Sequence, residues 1–125
     1  MSGCDDDGAL LVAAVTEFYR CENARDWEGV SARVSPNIVS ETYPTGERVS
    51  GKAGYLRAVA DMYRGRTETF EVLSISADAR VSTVHAELVI GGKLSVNVFE
   101  LRDGLIVRER EYLGLGYGGV RLPTF

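Results

Sequence analysis

From Gly8 to Glu22 the apolar positions Leu11, Val15, Phe18 and Cys21 recur at the spacing of one helical face, which predicts a first helix. Asp5, Asp6 and Asp7 precede it and suit the positive end of its dipole. Asn23 or Asp26 can cap a second, shorter helix running through Trp27 to Val34, which Pro36 ends. Asn37 to Tyr43 is rich in β-branched residues and closed by Pro44-Thr45-Gly46, so it reads as a strand leading into a turn. A third helix spans Gly51 to Arg64, with Tyr55, Val59 and Met62 on one face and Gly65 in the stop position.

Beyond Gly65 the period falls from helical to alternating, and four strand-like runs follow: Thr67 to Ser76, Arg80 to Ile90, Leu94 to Leu101 and Leu105 to Leu113. Their short connections, Ala77-Asp78-Ala79, Gly91-Gly92-Lys93 and Arg102-Asp103-Gly104, predict an antiparallel meander. The class is therefore α+β, in the order α-α-β-α-β-β-β-β, with residues 114–125 left as a glycine-rich tail that covers an edge or a pocket mouth.

A one-residue slip in strand register moves every side chain to the opposite face, so the pairing that separates polar from apolar positions is preferred. A three-residue loop at Gly91-Gly92-Lys93 sets Ile90 against Leu94, Leu88 against Val96 and Ala86 against Val98. The same loop length at Arg102-Asp103-Gly104 sets Asn97 against Glu109 and Ser95 against Glu111. One face would then gather His85, Glu87, Asn97, Glu109 and Glu111. The other would carry Val84, Ala86, Leu88, Val96 and Val98, an apolar stripe that predicts a homodimer.

The chain has 125 residues, enough for one core and too few for two, so a single domain over 1–125 is expected, with its body at about 8–113. Composition is 45% hydrophobic and 26% charged, ordinary for a globular protein. A net charge of −4, with 14 basic residues scattered among 18 acidic ones, offers no stripe for a phosphate backbone, which argues against a nucleic-acid partner. The longest apolar run, Ala9 to Val15, is too short for a bilayer and follows three aspartates, so a cytoplasmic protein without a membrane partner is expected. Cys4, in an expected frayed N-terminus, and Cys21, in a helix, read as ordinary thiols. One His, no close Cys pair, no phosphate-cradling glycine loop and no Gly-x-Ser-x-Gly turn predict a site working without metal or cofactor.

The stretches Phe18-Tyr19 to Asn23-Ala24-Arg25-Asp26-Trp27-Glu28-Gly29-Val30, Glu41-Thr42-Tyr43-Pro44-Thr45-Gly46, and Phe99-Glu100-Leu101-Arg102-Asp103-Gly104-Leu105-Ile106 to Arg110-Glu111-Tyr112 resemble the SnoaL-like branch of the nuclear transport factor 2-like superfamily. The resemblance covers roughly residues 8 to 113. It implies a cone-shaped fold whose concave sheet face and helices enclose a pocket, with the other face available for a homodimer. It also implies relatives among polyketide cyclases, limonene epoxide hydrolases and ketosteroid isomerases.

Similarity to limonene epoxide hydrolases, which carry a basic residue, a spacer and an acid on a middle strand and an acid before Tyr on the last, implies roles for His85, Glu87 and Glu111. It also places a hydrogen-bonding position near Thr42. Similarity to ketosteroid isomerase brings Phe18, Thr42 and Asn97 to its functional positions. Glu111, Glu87, His85 and Glu109 are thus the catalytic candidates, and Asn97, Thr42, Phe99, Phe18, Trp27 and Tyr55 the substrate-binding ones. Two carboxylates on one enclosed wall cannot both ionise cheaply, so one becomes an acid and the other a base. Such a pair suits cyclisation, isomerisation or epoxide opening on a small apolar or polyketide-like ligand. A binding module with the same pocket and no chemistry, or a dimerising scaffold, are the other readings.

Overall fold

The computed structural model describes residues 3–118, with side chains from residue 7 onward. Helices α1 (Gly3–Asn23), α2 (Trp27–Ala32) and α3 (Lys52–Met62) pack on one face of a six-stranded sheet. Its strands are β1 (Val34–Tyr43), β2 (Glu47–Ser50), β3 (Glu71–Asp78), β4 (Thr83–Ile90), β5 (Lys93–Arg102) and β6 (Leu105–Leu113). The sheet order is β2-β1-β6-β5-β4-β3, antiparallel except where β1 runs parallel to β6. The expected α+β class and meander are present.

The sequence reading did not include β2. Its four residues alternate too briefly to show a period, and it exists because the turn at Pro44-Thr45-Gly46 folds Glu47–Ser50 back onto Val39–Thr42. β1 also begins earlier than expected and carries Pro36 at an irregular stretch where its pairing to β6 shifts, a place that spares the missing N–H. Asp26 caps α2 by accepting from Gly29 N at 3.0 Å. Asn23 does other work: its side chain pairs with both backbone groups of Phe70, each at 3.0 Å, tying the end of α1 to the segment before β3. Cys4 lies within α1, which starts at Gly3, and Cys21 is a buried free thiol.

The core is where α1 crosses the sheet. Val15, Phe18, Val30, Val34, Ile38, Val84, Phe99 and Ile106 are all under 2% exposed. Phe18, Tyr19 and Phe99 meet as tilted and edge-on rings with centroids 5.6 to 5.7 Å apart, the geometry aromatic quadrupoles favour. Phe18 and Phe99 are therefore core residues, and neither lines a pocket. Trp27 stacks at 6.0 Å on Tyr63 and packs half-buried against the core. No helix among the described residues is long and apolar enough to cross a membrane.

The β4–β5 register departs from expectation by one residue. The turn is Gly91-Gly92 alone, both with positive φ of 53° and 78°, the two-residue arrangement whose twist matches that of the flanking strands. Ile90 consequently pairs with Lys93, Ala86 with Asn97 and Val84 with Phe99. His85 and Glu87 fall opposite Val98 and Val96, on the face away from the helices, and both are exposed. The expected apolar stripe is split: Val84, Ala86 and Leu88 are buried toward the helices, while Val96 is 38% exposed on the outer face.

Candidate active site

The sheet presents two cross-strand rows to the helices. Thr42, Glu111 and Asn97 form one, and Ser40, Glu109 and Phe99 the next. Glu109 and Glu111 share a face because they are two apart on β6, and the pairing carries that face across to β1 and β5. The β5–β6 turn is Asp103-Gly104, again with both φ positive, and a bulge beside Glu100 then brings Asn97 opposite Glu111. The expected pairs, Asn97 to Glu109 and Ser95 to Glu111, are each two residues out of register, an even slip that leaves the face correct.

Above these rows α1, α3 and the segment after α3 close a cleft of about 370 Å³. Glu109, Glu111, Asn97, Thr42 and Tyr55 line it, together with Glu22, Tyr63, Val59, Phe70, Leu88 and Leu113. Of the residues expected to form the site, these first five are together. His85, Glu87, Phe18, Phe99 and Trp27 are not part of it: the first two sit behind the sheet, Phe18 and Phe99 in the core beneath, and Trp27 stacks half-buried on Tyr63. On the outer face Glu87 accepts a hydrogen bond from Ser74 Oγ at 3.2 Å. Tyr117, from the tail, also lines the cleft, so the expectation that the tail reaches a pocket mouth holds as far as residue 118. Residues 119–125 lie outside the described part.

Glu22 is the functional candidate that sequence reasoning missed. It stands four residues after Phe18 and seven after Val15, on the core-facing side of α1, and is only 9% exposed. A carboxylate in core phase on an amphipathic helix was the signal. The Tyr63 hydroxyl donates to its Oε2 at 2.5 Å. Ser40 Oγ donates to Glu109 Oε1 at 3.2 Å, and the Tyr55 hydroxyl to Oε2 at 3.4 Å. Glu111 has no hydrogen-bond partner among the described residues.

Burial dominates the electrostatics. Desolvation, with Glu22 and Glu111 nearby, pushes the Glu109 carboxyl up to about 8. Glu22 is pushed up to about 7 by burial against a lowering hydrogen bond from Tyr63, and burial raises Glu111 as well. Burial holds the Tyr19, Tyr55 and Tyr63 phenols above their ordinary range, so all three remain hydrogen-bond donors. Asn97 is 4% exposed; its Nδ2 donates to the Tyr19 hydroxyl at 2.9 Å, and its Oδ1 is buried with no partner.

These shifts bear on stability. A carboxyl whose folded pKa lies above its unfolded value binds more protons in the native state, so its contribution is complete below the unfolded pKa and is lost as pH rises through the folded one. With Glu22 at about 7 and Glu109 at about 8 against 4.5 unfolded, stability is expected to fall between about pH 4.5 and 8. Thermal melts across that window should show the midpoint declining, and Glu109→Gln should flatten the decline. An unchanged slope in the variant would remove Glu109 as its source.

A family model described as a SnoaL-like domain matches residues 15–109. The chain belongs to the SnoaL-like family. Solved structures similar to this SnoaL-like chain include a candidate ketosteroid isomerase from Kribbella flavida, at 23% identity and a TM-score of 0.75, covering 94% of this chain and 93% of that one. An LEH-like epoxide hydrolase from M. tuberculosis is 24% identical, TM-score 0.72, over 86% and 85% of the two chains. A candidate polyketide cyclase from Xanthomonas campestris is 19% identical, TM-score 0.74, over 87% and 93%. These likenesses establish the nuclear transport factor 2-like fold. No curated protein matches the chain. Among the described residues, no group of three His, Cys, Asp or Glu is arranged to hold a metal ion.

Proposed function

We propose that this SnoaL-like protein is an acid–base enzyme that moves protons on a small, largely apolar molecule bound in the cleft. Cyclisation, isomerisation or epoxide opening of a polyketide- or terpenoid-like natural product is the reaction class, with no cofactor required. The observation that carries the reading is the trio Glu22, Glu109 and Glu111 in one cleft, where burial raises all three carboxyl pKa values toward neutrality. A base or acid works best when its pKa lies near the operating pH, which an ordinary surface glutamate does not achieve.

The roles follow from the hydrogen bonds. Glu109, held by Ser40 and Tyr55 and raised furthest, is the group that carries a proton at neutral pH and delivers it. Glu111, free of protein partners among the described residues, is the base that meets the substrate. Glu22, bonded by Tyr63, adds the repulsion that helps keep Glu109 protonated. Thr42 stands beside Glu111 as a hydroxyl that can orient the substrate.

The test uses nitrobenzisoxazole, a carbon acid whose C–H proton is removed by a carboxylate as its N–O bond opens to a phenolate. The protein should accelerate this elimination, with a rate that rises through neutral pH. Binding of the probe without acceleration would favour a small-molecule-binding module instead.

Assembly belongs to the same reading. Two copies are expected to meet through the outer sheet face, where Val96 and Tyr112 are 38% and 43% exposed and Tyr43 stacks on Tyr112 at 5.3 Å. Sedimentation at micromolar concentration should give twice the chain mass, and a monomer would remove that face as an interface.

A further inference from the structure

At the inner end of the cleft the donors of Tyr55, Tyr63, Ser40 and Asn97 are committed to the protein, while the hydroxyls of Thr42 and Ser95 stay open to a ligand. The Tyr63 hydroxyl donates to Glu22, the Tyr55 and Ser40 hydroxyls donate to Glu109, and Asn97 Nδ2 donates to Tyr19. Acceptors outnumber the open hydroxyls there: carboxyl oxygens of Glu22, Glu109 and Glu111, and Asn97 Oδ1, whose residue is 4% exposed and which has no partner among the described residues. A buried carbonyl oxygen left unpaired is costly, so a group that supplies its missing donor is favoured there.

The charges agree. Among the described residues no Lys or Arg forms an ion pair with Glu22, Glu109 or Glu111. Arg25, the nearest cation to Glu22, is spent on backbone carbonyls of Arg66 and Glu68 and lies 4.0 Å over the Tyr63 ring. The cleft's own cations, Arg66 and Lys93, bond to none of the three carboxylates. A buried carboxylate trio without a counter-ion is costly to ionise unless a cation arrives from outside. The rings of Tyr55 and Phe70 add to a lining that suits such a cation, while those of Tyr63 and Tyr117 already carry Arg25 and Lys93 at 4.0 and 5.6 Å.

We propose that the molecule taken by this cleft carries a protonated amine at its buried end, donating to Asn97 Oδ1 and to the carboxylates, with an apolar body against the aromatic and aliphatic wall. This names the substrate class for the acid–base reading and rests on it for the choice of cleft. Glu22 and Asn97 become the anchoring residues, which leaves Glu109 and Glu111 to handle protons.

The experiment is calorimetric titration of the full chain with three probes of one shape: phenylbutylamine, phenylbutanol and phenylbutanoate. The amine should bind at least tenfold more tightly than the alcohol, and the acid should not bind measurably. Glu22→Gln should erase most of the amine's advantage over the alcohol. Equal binding of amine and alcohol overturns the proposal. So does preferential binding of the acid, and so does failure of all three to bind. The first arm uses unmodified protein, so a Glu22 variant that folds poorly does not decide the matter. Elimination of nitrobenzisoxazole is read separately: acceleration without amine preference sinks the ligand class and keeps the acid–base reading, and the converse outcome keeps the ligand and sinks the chemistry.

Discussion

Glu111→Gln is expected to lower nitrobenzisoxazole elimination by about two orders of magnitude, and turnover of the natural substrate by about two to four, while the fold persists. Gln keeps the size of the side chain and loses only the ionisable proton. Glu111 forms no hydrogen bond with the described residues, so little of the fold depends on its charge. Glu87→Gln is the matched control, because Glu87 lies on the outer face with only Ser74 as a partner and should change the rate by less than about twofold. If Glu111→Gln retains the native rate while Glu109→Gln abolishes it, the roles assigned to the two residues on β6 are reversed. If both are silent, proton transfer in the cleft is not what the trio does.

Phe18→Ala carries the largest expected effect on stability. Phe18 is fully buried against Tyr19 and Phe99. Truncating a buried Phe removes its transfer free energy and leaves a cavity, about 3–5 kcal/mol in all. For a chain of this size that lowers the melting midpoint by roughly 10–20 °C. Because Phe18 lies under the cleft and does not line it, affinity for an apolar cleft ligand measured below the melt should change by less than about threefold. A mild melt shift with a large loss of affinity would return Phe18 to the binding wall, where its resemblance to a ketosteroid isomerase position had set it.

The helices and the strands of the meander were legible because their periods are long enough to be read locally. β2 was not, since four residues show no period and its place depends on a turn. The site was half legible, and the reason lies in parity. At Asp103-Gly104 the expected loop was wrong, yet the pairing slipped by two residues after the bulge, and Asn97, Glu109 and Glu111 stayed on one face. At Gly91-Gly92 the slip was one residue, and His85 and Glu87 changed sides. Both turns hold residue pairs able to take positive φ twice, which was the local signal for a two-residue loop. The preference for separating polar from apolar side chains misled because a cleft mixes them: Ser95, Asn97 and Glu109 share their face with Val84, Leu88 and Phe99. Glu22 escaped for a related reason, since a carboxylate in core phase reads as a break in the apolar stripe until a tyrosine from elsewhere in the chain is seen to satisfy it.

The central claim is that burial in one cleft raises the pKa values of three glutamates, so that Glu22 and Glu109 hold protons near neutral pH. Carbon-13 NMR titration of the glutamate side-chain carboxyls tests it most directly, with Glu22→Gln, Glu109→Gln and Glu111→Gln used to assign the signals. The expected result is that Glu22 and Glu109 titrate at about 7 and 8, that Glu111 titrates above the surface glutamates, that removing Glu111 lowers the midpoints of Glu22 and Glu109, and that removing Glu22 lowers that of Glu109. All three titrating with the surface glutamates near 4.5, each indifferent to the loss of the others, would contradict it.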